Sequence, residues 1–213
     1  MSQKEGKKSR KNSPLPAQVD SVGLRIIGGK MRGRKLAYAG DTRVRPMKDR
    51  VREAVFNLIG KKAEGKFAID LFGGTGAVCL EAISRGAIGG QLIEMHFPTA
   101  KVIQQNIETL ELQDSVKLHT GSVFFWNKKR APLPQEAPWL VFMCPPYVFF
   151  VDRWPELEEL FRSLWEEAPK DSVFLVETDE RFDWDQIRPF EENAAGPWDI
   201  RTYFPATVGL LIK

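Results

Sequence analysis

Three short stretches of this sequence place chemically capable residues where a strand would end. The first is Ala68-Ile69-Asp70-Leu71-Phe72-Gly73-Gly74-Thr75-Gly76-Ala77, a β-prone run that meets an acid and then a glycine-rich turn. Glycines let the backbone approach a ligand closely, and the carboxyl end of a strand is where α/β folds bind cofactors. The turn is not a Walker loop, because the Gly-Lys-Ser/Thr ending is absent. It is not a dinucleotide fingerprint either, because Cys79 fills the third glycine position. Asp70 favours a ligand bearing an ammonium group over one bearing phosphate. The plainer alternative, a purely structural turn, explains the glycines but not the second stretch. That stretch, Gln91-Leu92-Ile93-Glu94-Met95, ends in an acid about twenty residues after the glycines, the distance at which a carboxylate reaches the ribose hydroxyls of an adenosine-bearing ligand. Met95 or His96 would flank the adenine, and Ser122, after the next strand, would meet its edge. The ligand candidates are therefore Asp70, Phe72, Gly73, Gly74, Thr75, Gly76, Glu94, Met95 and Ser122.

The third stretch ends in Cys144-Pro145-Pro146-Tyr147. The two prolines stiffen a loop, and the tyrosine offers a flat surface on which an unstacked nucleic-acid base can lie. In amino-methyltransferases the corresponding tetrapeptide is Asn/Asp-Pro-Pro-Tyr/Phe. There a side-chain oxygen and a backbone carbonyl accept the hydrogens of the target NH₂ and aim its lone pair, which is catalysis by positioning. A proline-rich exit from a core strand would explain the prolines alone.

The elements that must hold these residues follow from hydrophobic period. Leu24 to Ala39 reads as two short β-prone runs around a basic, glycine-bearing middle, hence a hairpin with turns at Gly28, Gly29 and Gly33. The next segment places Val51, Val55, Phe56, Leu58 and Ile59 near helical spacing up to Gly60, a helix that leaves Arg50 and Arg52 available. Beyond Gly65 short apolar runs alternate with helical stretches: FAIDLF, a helix near 75–86, QLIEM, a helix near 97–111, SVKLHT, a short helix near 122–130, WLVFMC, a helix near 155–167 and SVFLVET. Such alternation predicts a doubly wound α/β sheet. WDIRTYF and TVGLLIK leave no room for a helix between them and should be antiparallel neighbours.

Charge is unevenly distributed behind a net value of +3. Residues 1–52 hold 15 Lys and Arg against 4 Asp and Glu, a balance of +11, and the remainder carries −8. A basic front argues for a polyanionic partner, because clustered cations gain affinity by displacing the counterions condensed on a phosphate backbone; a merely soluble basic tail is the alternative. Residues 1–21 lack any apolar period and are expected to be disordered. No run of about 18 apolar residues exists, and Lys4, Lys7, Lys8, Arg10 and Lys11 precede no apolar stretch, so a cytoplasmic location without membrane span or secretory signal is expected. Cys79 and Cys144 have no metal-ligand spacing, so no metal is expected and both thiols should be reduced.

Taken together, LRIIGGKMRGRKL, RPMKDRVREAVFNLI, DLFGGTGAVCLEAISRGA and IEM resemble the RsmD family of bacterial 16S ribosomal RNA guanine-N2 methyltransferases, over residues from about Leu24 to the C-terminus. The resemblance implies a Rossmann-like methyltransferase sheet, mostly parallel with an antiparallel C-terminal strand, plus a small N-terminal β-hairpin extension. It divides the chain into a tail at 1–21, a basic hairpin and helix over 22–64 that engages RNA, and an S-adenosylmethionine-binding domain over 65–213. It further implies methylation of a guanine exocyclic amine in small-subunit ribosomal RNA within an assembled particle, by a monomer. Cys144, Pro145, Pro146 and Tyr147 would form the catalytic loop, and Arg25, Lys30, Arg32, Arg34, Lys35, Arg45 and Arg50 would meet the RNA. The chain departs from the family pattern at Cys144, where Asp or Asn is usual and a thiol is a weak acceptor. Restoring an oxygen there by Cys144→Asp or Cys144→Asn is therefore expected to raise methyl transfer. His96 and Met47 are lesser departures. Two other readings stay open: a catalytically weakened RNA-binding or assembly protein, and a covalent Cys144 nucleophile acting on a pyrimidine.

Overall fold

The computed structural model describes residues 23–38, 40 and 47–213. The basic tail at 1–21 and Arg45 lie outside the described residues.

The chain first folds back on itself as a short ladder. The Ile26 amide donates to the Arg34 carbonyl and the Leu36 amide to the Leu24 carbonyl, each at 2.9 Å, with an antiparallel bridge between Arg25 and Lys35. Gly29 and Gly33 turn the chain at φ 74 and 83, a region that L side chains avoid. Strand alternation sends Leu24, Ile26 and Leu36 into the core and leaves Arg25 and Lys35 in solvent. Helix α1 (Asp49–Ile59) ends at Gly60, whose φ of 58 breaks the helical path.

Apolar spacing predicts most of its buried face, Val55, Phe56 and Ile59, but not the cation that joins them. Arg52, expected to be available, is fully buried together with Val55, Phe56 and Ile59. The reason is a polar network that no local pattern announces. The Arg52 guanidinium donates to the Arg25 carbonyl at 2.6 Å and to Asp49 at 3.0 Å, and its Nε lies 3.9 Å from the carboxylate of Glu81, itself fully buried. Glu81 accepts the Ile27 and Gly28 amides at 2.7 Å each and the Arg85 Nε at 2.8 Å. Glu81 thus ties the hairpin's backbone to the next helix.

The remaining elements form a seven-stranded sheet in the order β3-β2-β1-β4-β5-β7-β6. Its strands are β1 (Phe67–Asp70), β2 (Gly89–Glu94), β3 (Val116–Thr120), β4 (Trp139–Met143), β5 (Val173–Asp179), β6 (Asp199–Tyr203) and β7 (Ala206–Ile212). The first five run parallel; β7 is antiparallel to both β5 and β6. Helices α2 (Ala77–Ser84), α3 (Phe97–Thr109), α4 (Val123–Lys129), α5 (Phe149–Asp152) and α6 (Trp154–Glu167) connect them. The sheet is Rossmann-like, with the expected antiparallel closing pair. A central parallel strand must be apolar on both faces, and all five residues of β4 are buried. Leu140 and Phe142 face the core beneath the hairpin and α1 to α3. Trp139, Val141 and Met143 face the aromatic core beneath α4 to α6.

Two features escape the sequence pattern. Helix α5 follows the Pro-Pro loop directly, and 3-10 turns at Trp184–Gln186 and Arg188–Asn193 fill the segment between β5 and β6. Trp184 and Trp198 close over Gly209 of β7, where an added Cβ would sit 2.3 Å and 3.0 Å from their rings. Among the described residues no helix is long and apolar enough to cross a membrane, and no group of three His, Cys, Asp or Glu side chains could hold a metal ion.

Candidate active site

All three stretches reach the same edge of the sheet, the carboxyl ends of β1, β2 and β4. In this order β1 and β4 are neighbours although they are not consecutive, and a crevice outside such strand ends is where open α/β sheets take ligands. The glycine turn after β1 is held close against β2. The Gly73 amide donates to the Ile93 carbonyl at 2.8 Å and the Gly76 amide to the Gly73 carbonyl at 2.6 Å. A Cβ on Gly73 would come within 3.2 Å of that Ile93 carbonyl, and Gly76 holds φ 77, so neither position accepts a side chain without movement. Cys79 explains its own place in the motif. Its thiol packs on Gly90 of β2, where a Cβ would lie 2.7 Å from the sulfur, so the close helix–strand contact is secured from the other side.

Asp70 ends β1 at 2% exposure. Backbone amides of Phe72 and Cys79 support it, yet burial, with Glu94 nearby, pushes its carboxyl up to about 7. Its Oδ2 is buried without a hydrogen-bond partner. A buried acceptor in that state is costly and is the feature that a bound cation or hydroxyl would satisfy. Glu94 ends β2 and braces the turn: its carboxylate accepts the Gly74 amide at 2.8 Å and the His96 amide at 2.6 Å. A carboxylate has about four acceptor positions, so capacity remains for a ligand's hydroxyls. Met95 stands 68% exposed beside it. His96 packs its Nδ1 2.9 Å from the Thr99 hydroxyl. Thr75 is buried, its hydroxyl accepting the Ala77 amide at 3.4 Å. Ser122 is half-buried at the start of α4 and makes no side-chain capping bond.

At the end of the neighbouring strand β4, Cys144 leads out of the sheet, Pro145 is buried, Pro146 exposed and Tyr147 half-buried. Cys144 does not suit covalent attack. Burial and the nearby carboxylates of Glu177 and Asp70 push its thiol well above the usual range, whereas a nucleophilic thiolate needs the opposite. Two groups here were missed by sequence reasoning. Glu177, near the end of β5, accepts a hydrogen bond from the Tyr147 hydroxyl at 2.8 Å. The same signal that marks Glu94, an acid near the end of an apolar strand, marks Glu177 in SVFLVET. The second group is a set of rings: Phe72 lies 6.5 Å from Phe124 and 6.3 Å from Phe149, with the Arg153 guanidinium 4.2 Å from the Phe124 centroid. No sequence spacing brings the glycine turn, α4 and α5 together.

The proposed RNA contacts group elsewhere. Arg25, Lys30, Arg32, Arg34, Lys35 and Arg50 are all exposed, with Arg25 3.7 Å from Asp49 and Arg34 bound to the Thr109 carbonyl at 2.8 Å.

Residues 24–193 match the family described as Conserved hypothetical protein 95. The chain belongs to that family. It is the RsmD family of the sequence resemblance. Over 132 residues the chain is 36% identical to Ribosomal RNA small subunit methyltransferase D of Escherichia coli, an alignment covering 62% of this chain and 64% of that protein. The solved structure of the Escherichia coli protein yhhF matches with a TM-score of 0.68 at 27% identity, over 89% of this chain and 97% of that one. An RNA methyltransferase from Salinibacter ruber, solved with S-adenosyl-L-homocysteine, shares the fold at a TM-score of 0.55 and 18% identity, over 79% of this chain and 94% of that one.

Proposed function

We propose that this chain transfers a methyl group from S-adenosylmethionine to the exocyclic amino group of a guanine in small-subunit ribosomal RNA. The observation that carries this reading is the buried, unpartnered Oδ2 of Asp70 at the end of the strand that pairs with β4, which leads into the Cys144-Pro145-Pro146-Tyr147 loop. When bound, S-adenosylmethionine supplies an electrophilic methyl group on a sulfonium. Asp70 would pair with its ammonium, Glu94 would take the ribose hydroxyls, and Met95 with Ser122 would border the adenine, around the turn of Phe72, Gly73, Gly74, Thr75 and Gly76. Tyr147 would carry the flipped base, and the Pro145 carbonyl would accept one of the amine's hydrogens. The exposed cations at Arg25, Lys30, Arg32, Arg34, Lys35 and Arg50, with Arg45, would hold the RNA backbone. The names of the curated relatives support the substrate class.

Calorimetry with S-adenosylmethionine and S-adenosylhomocysteine tests the cofactor half. Both ligands are expected to bind, with Glu94→Ala weakening them at least tenfold. Binding of neither, or an unchanged affinity in Glu94→Ala, would remove this assignment. Cys144 favours a second reading, a weakened RNA-binding or assembly protein, because a thiol is a poor acceptor at the position where the family carries an oxygen.

A further inference from the structure

The weak point of that site is residue 144, and the fold places a carboxylate directly beside it. Strands β4 and β5 run parallel with Leu140 opposite Val173, Phe142 opposite Leu175 and Met143 opposite Val176. One step further in the same register sets Cys144 beside Glu177. Parity gives the same result: Phe142 and Leu175 both face the core under α1, so Cys144 and Glu177, two residues on, leave their strands on that face. The carboxylate is tied to the catalytic loop, since the Tyr147 hydroxyl donates to its Oε1 at 2.8 Å, and the Cys144 thiol lies close enough to lower its proton affinity. Burial raises its proton affinity while these two groups lower it. Even with both groups donating, about half of a carboxylate's acceptor positions stay open. None of the roles assigned above uses this group.

We propose that the Glu177 carboxylate is the side-chain oxygen that accepts the N–H of the target amine, held in place by the Tyr147 hydroxyl and the Cys144 thiol. This rests on the amino-methyltransferase reading of the site. It reverses the part played by residue 144: the thiol acts as a donor that steadies Glu177, a task for which a weak acceptor is no handicap. The reaction balances without a further group. The amine nitrogen gains the methyl carbon as the carbon–sulfur bond of a sulfonium donor breaks, its electron pair staying on sulfur, and the nitrogen releases one proton to solvent. Glu177 and the Pro145 carbonyl, by accepting the two amine hydrogens, would turn the nitrogen lone pair toward the methyl carbon.

The test measures transfer of labelled methyl groups to small-subunit particles from a strain lacking the protein. S-adenosylhomocysteine affinity and melting temperature serve as controls on the site and the fold. Glu177→Ala should lower kcat a hundredfold to a thousandfold, the usual effect of losing one oriented hydrogen bond at a reacting centre, with both controls near wild type. Glu177→Gln, which retains an oxygen at the same reach, should keep at least a tenth of the activity, and Tyr147→Phe should lose less than Glu177→Ala. Adding Cys144→Asn to Glu177→Ala should recover at least tenfold, because it returns an oxygen from the neighbouring strand. A Glu177→Ala kcat within threefold of wild type overturns the inference and leaves the methyltransferase reading standing. So does a Tyr147→Phe loss equal to that of Glu177→Ala, which would make Glu177 only an anchor for the ring, or failure of the added asparagine to rescue. An inert wild type that still binds S-adenosylhomocysteine overturns the methyltransferase reading and this inference together.

Discussion

At the scale of single residues, Asp70 links the sequence to a measurable property. An acid at a strand end is visible in the sequence; its full burial and empty Oδ2 are not, because they depend on β2 closing over the glycine turn. The carboxyl is pushed up to about 7 by burial, above the unfolded value near 3.9, so the sign of its contribution is fixed. The folded chain holds the proton more tightly, and Asp70 weakens the ligand-free fold as pH rises from about 4 to about 7. An ammonium ligand prefers the ionised form. S-adenosylhomocysteine affinity should therefore rise with pH up to about 7 and level off above it, and Asp70→Asn should flatten that dependence. Calorimetry at pH 5.5, 6.5 and 7.5 reads this directly; equal affinities at all three would detach Asp70 from the ligand. Residue 144 shows the limit of motif reading. Compared with the family pattern, Cys144 looks like a lost acceptor, and the expected remedy is an oxygen at that position. With Glu177 beside it, Cys144→Asn in the otherwise intact chain should change methyl transfer by only a few fold.

At the scale of elements, period and turn chemistry foretold the order of strands and principal helices. Apolar runs bounded by glycine, proline and charge mark β1 to β5, and the absence of a helical stretch between WDIRTYF and TVGLLIK marks the antiparallel pair. What remained hidden depends on long-range partners. Arg52 has helical spacing to Val55, Phe56 and Ile59, yet a charge on that face reads as solvent-exposed until Glu81, on the next helix, is brought beneath it. Burial lowers the proton affinity of the Arg52 guanidinium, and Asp49 and Glu81 oppose that effect. Removing one partner of a buried pair costs about 3–5 kcal/mol because the other is left uncompensated. Glu81→Ala should fall in that range in urea unfolding, since it also strands the Ile27 and Gly28 amides. It should also speed proteolysis within residues 24–38. A loss below about 1 kcal/mol would mean that apolar packing of Leu24, Ile26 and Leu36 alone holds the hairpin. The aromatic set of Phe72, Phe124 and Phe149 was hidden for the same reason, as the glycine turn, α4 and α5 are distant in sequence and meet only once the sheet is formed.

At the scale of the whole molecule, charge and chemistry are divided between two parts of one chain. The exposed cations of the hairpin and α1 stand on elements that share a core with the strands carrying Asp70, Glu94 and Glu177. A phosphate backbone held by these cations would thus be positioned relative to the strand ends that carry those acids. Each neutralised phosphate contributes about 0.7 to the logarithmic salt slope on single strands and about 0.9 on duplex. Reversing Arg32 and Arg34 to Glu should lower RNA affinity steeply and reduce that slope by at least 1.4, while S-adenosylhomocysteine affinity stays unchanged. An unaltered slope would leave the basic front without a role in binding.

Mass spectrometry of nucleosides from small-subunit ribosomal RNA, compared between cells with and without the gene, shows whether this chain methylates a guanine there. One N2-methylguanosine should disappear in the absence of the protein and return when the wild-type chain is restored, but not when Glu94→Ala is supplied. An identical set of modified nucleosides in both strains would contradict the proposed function.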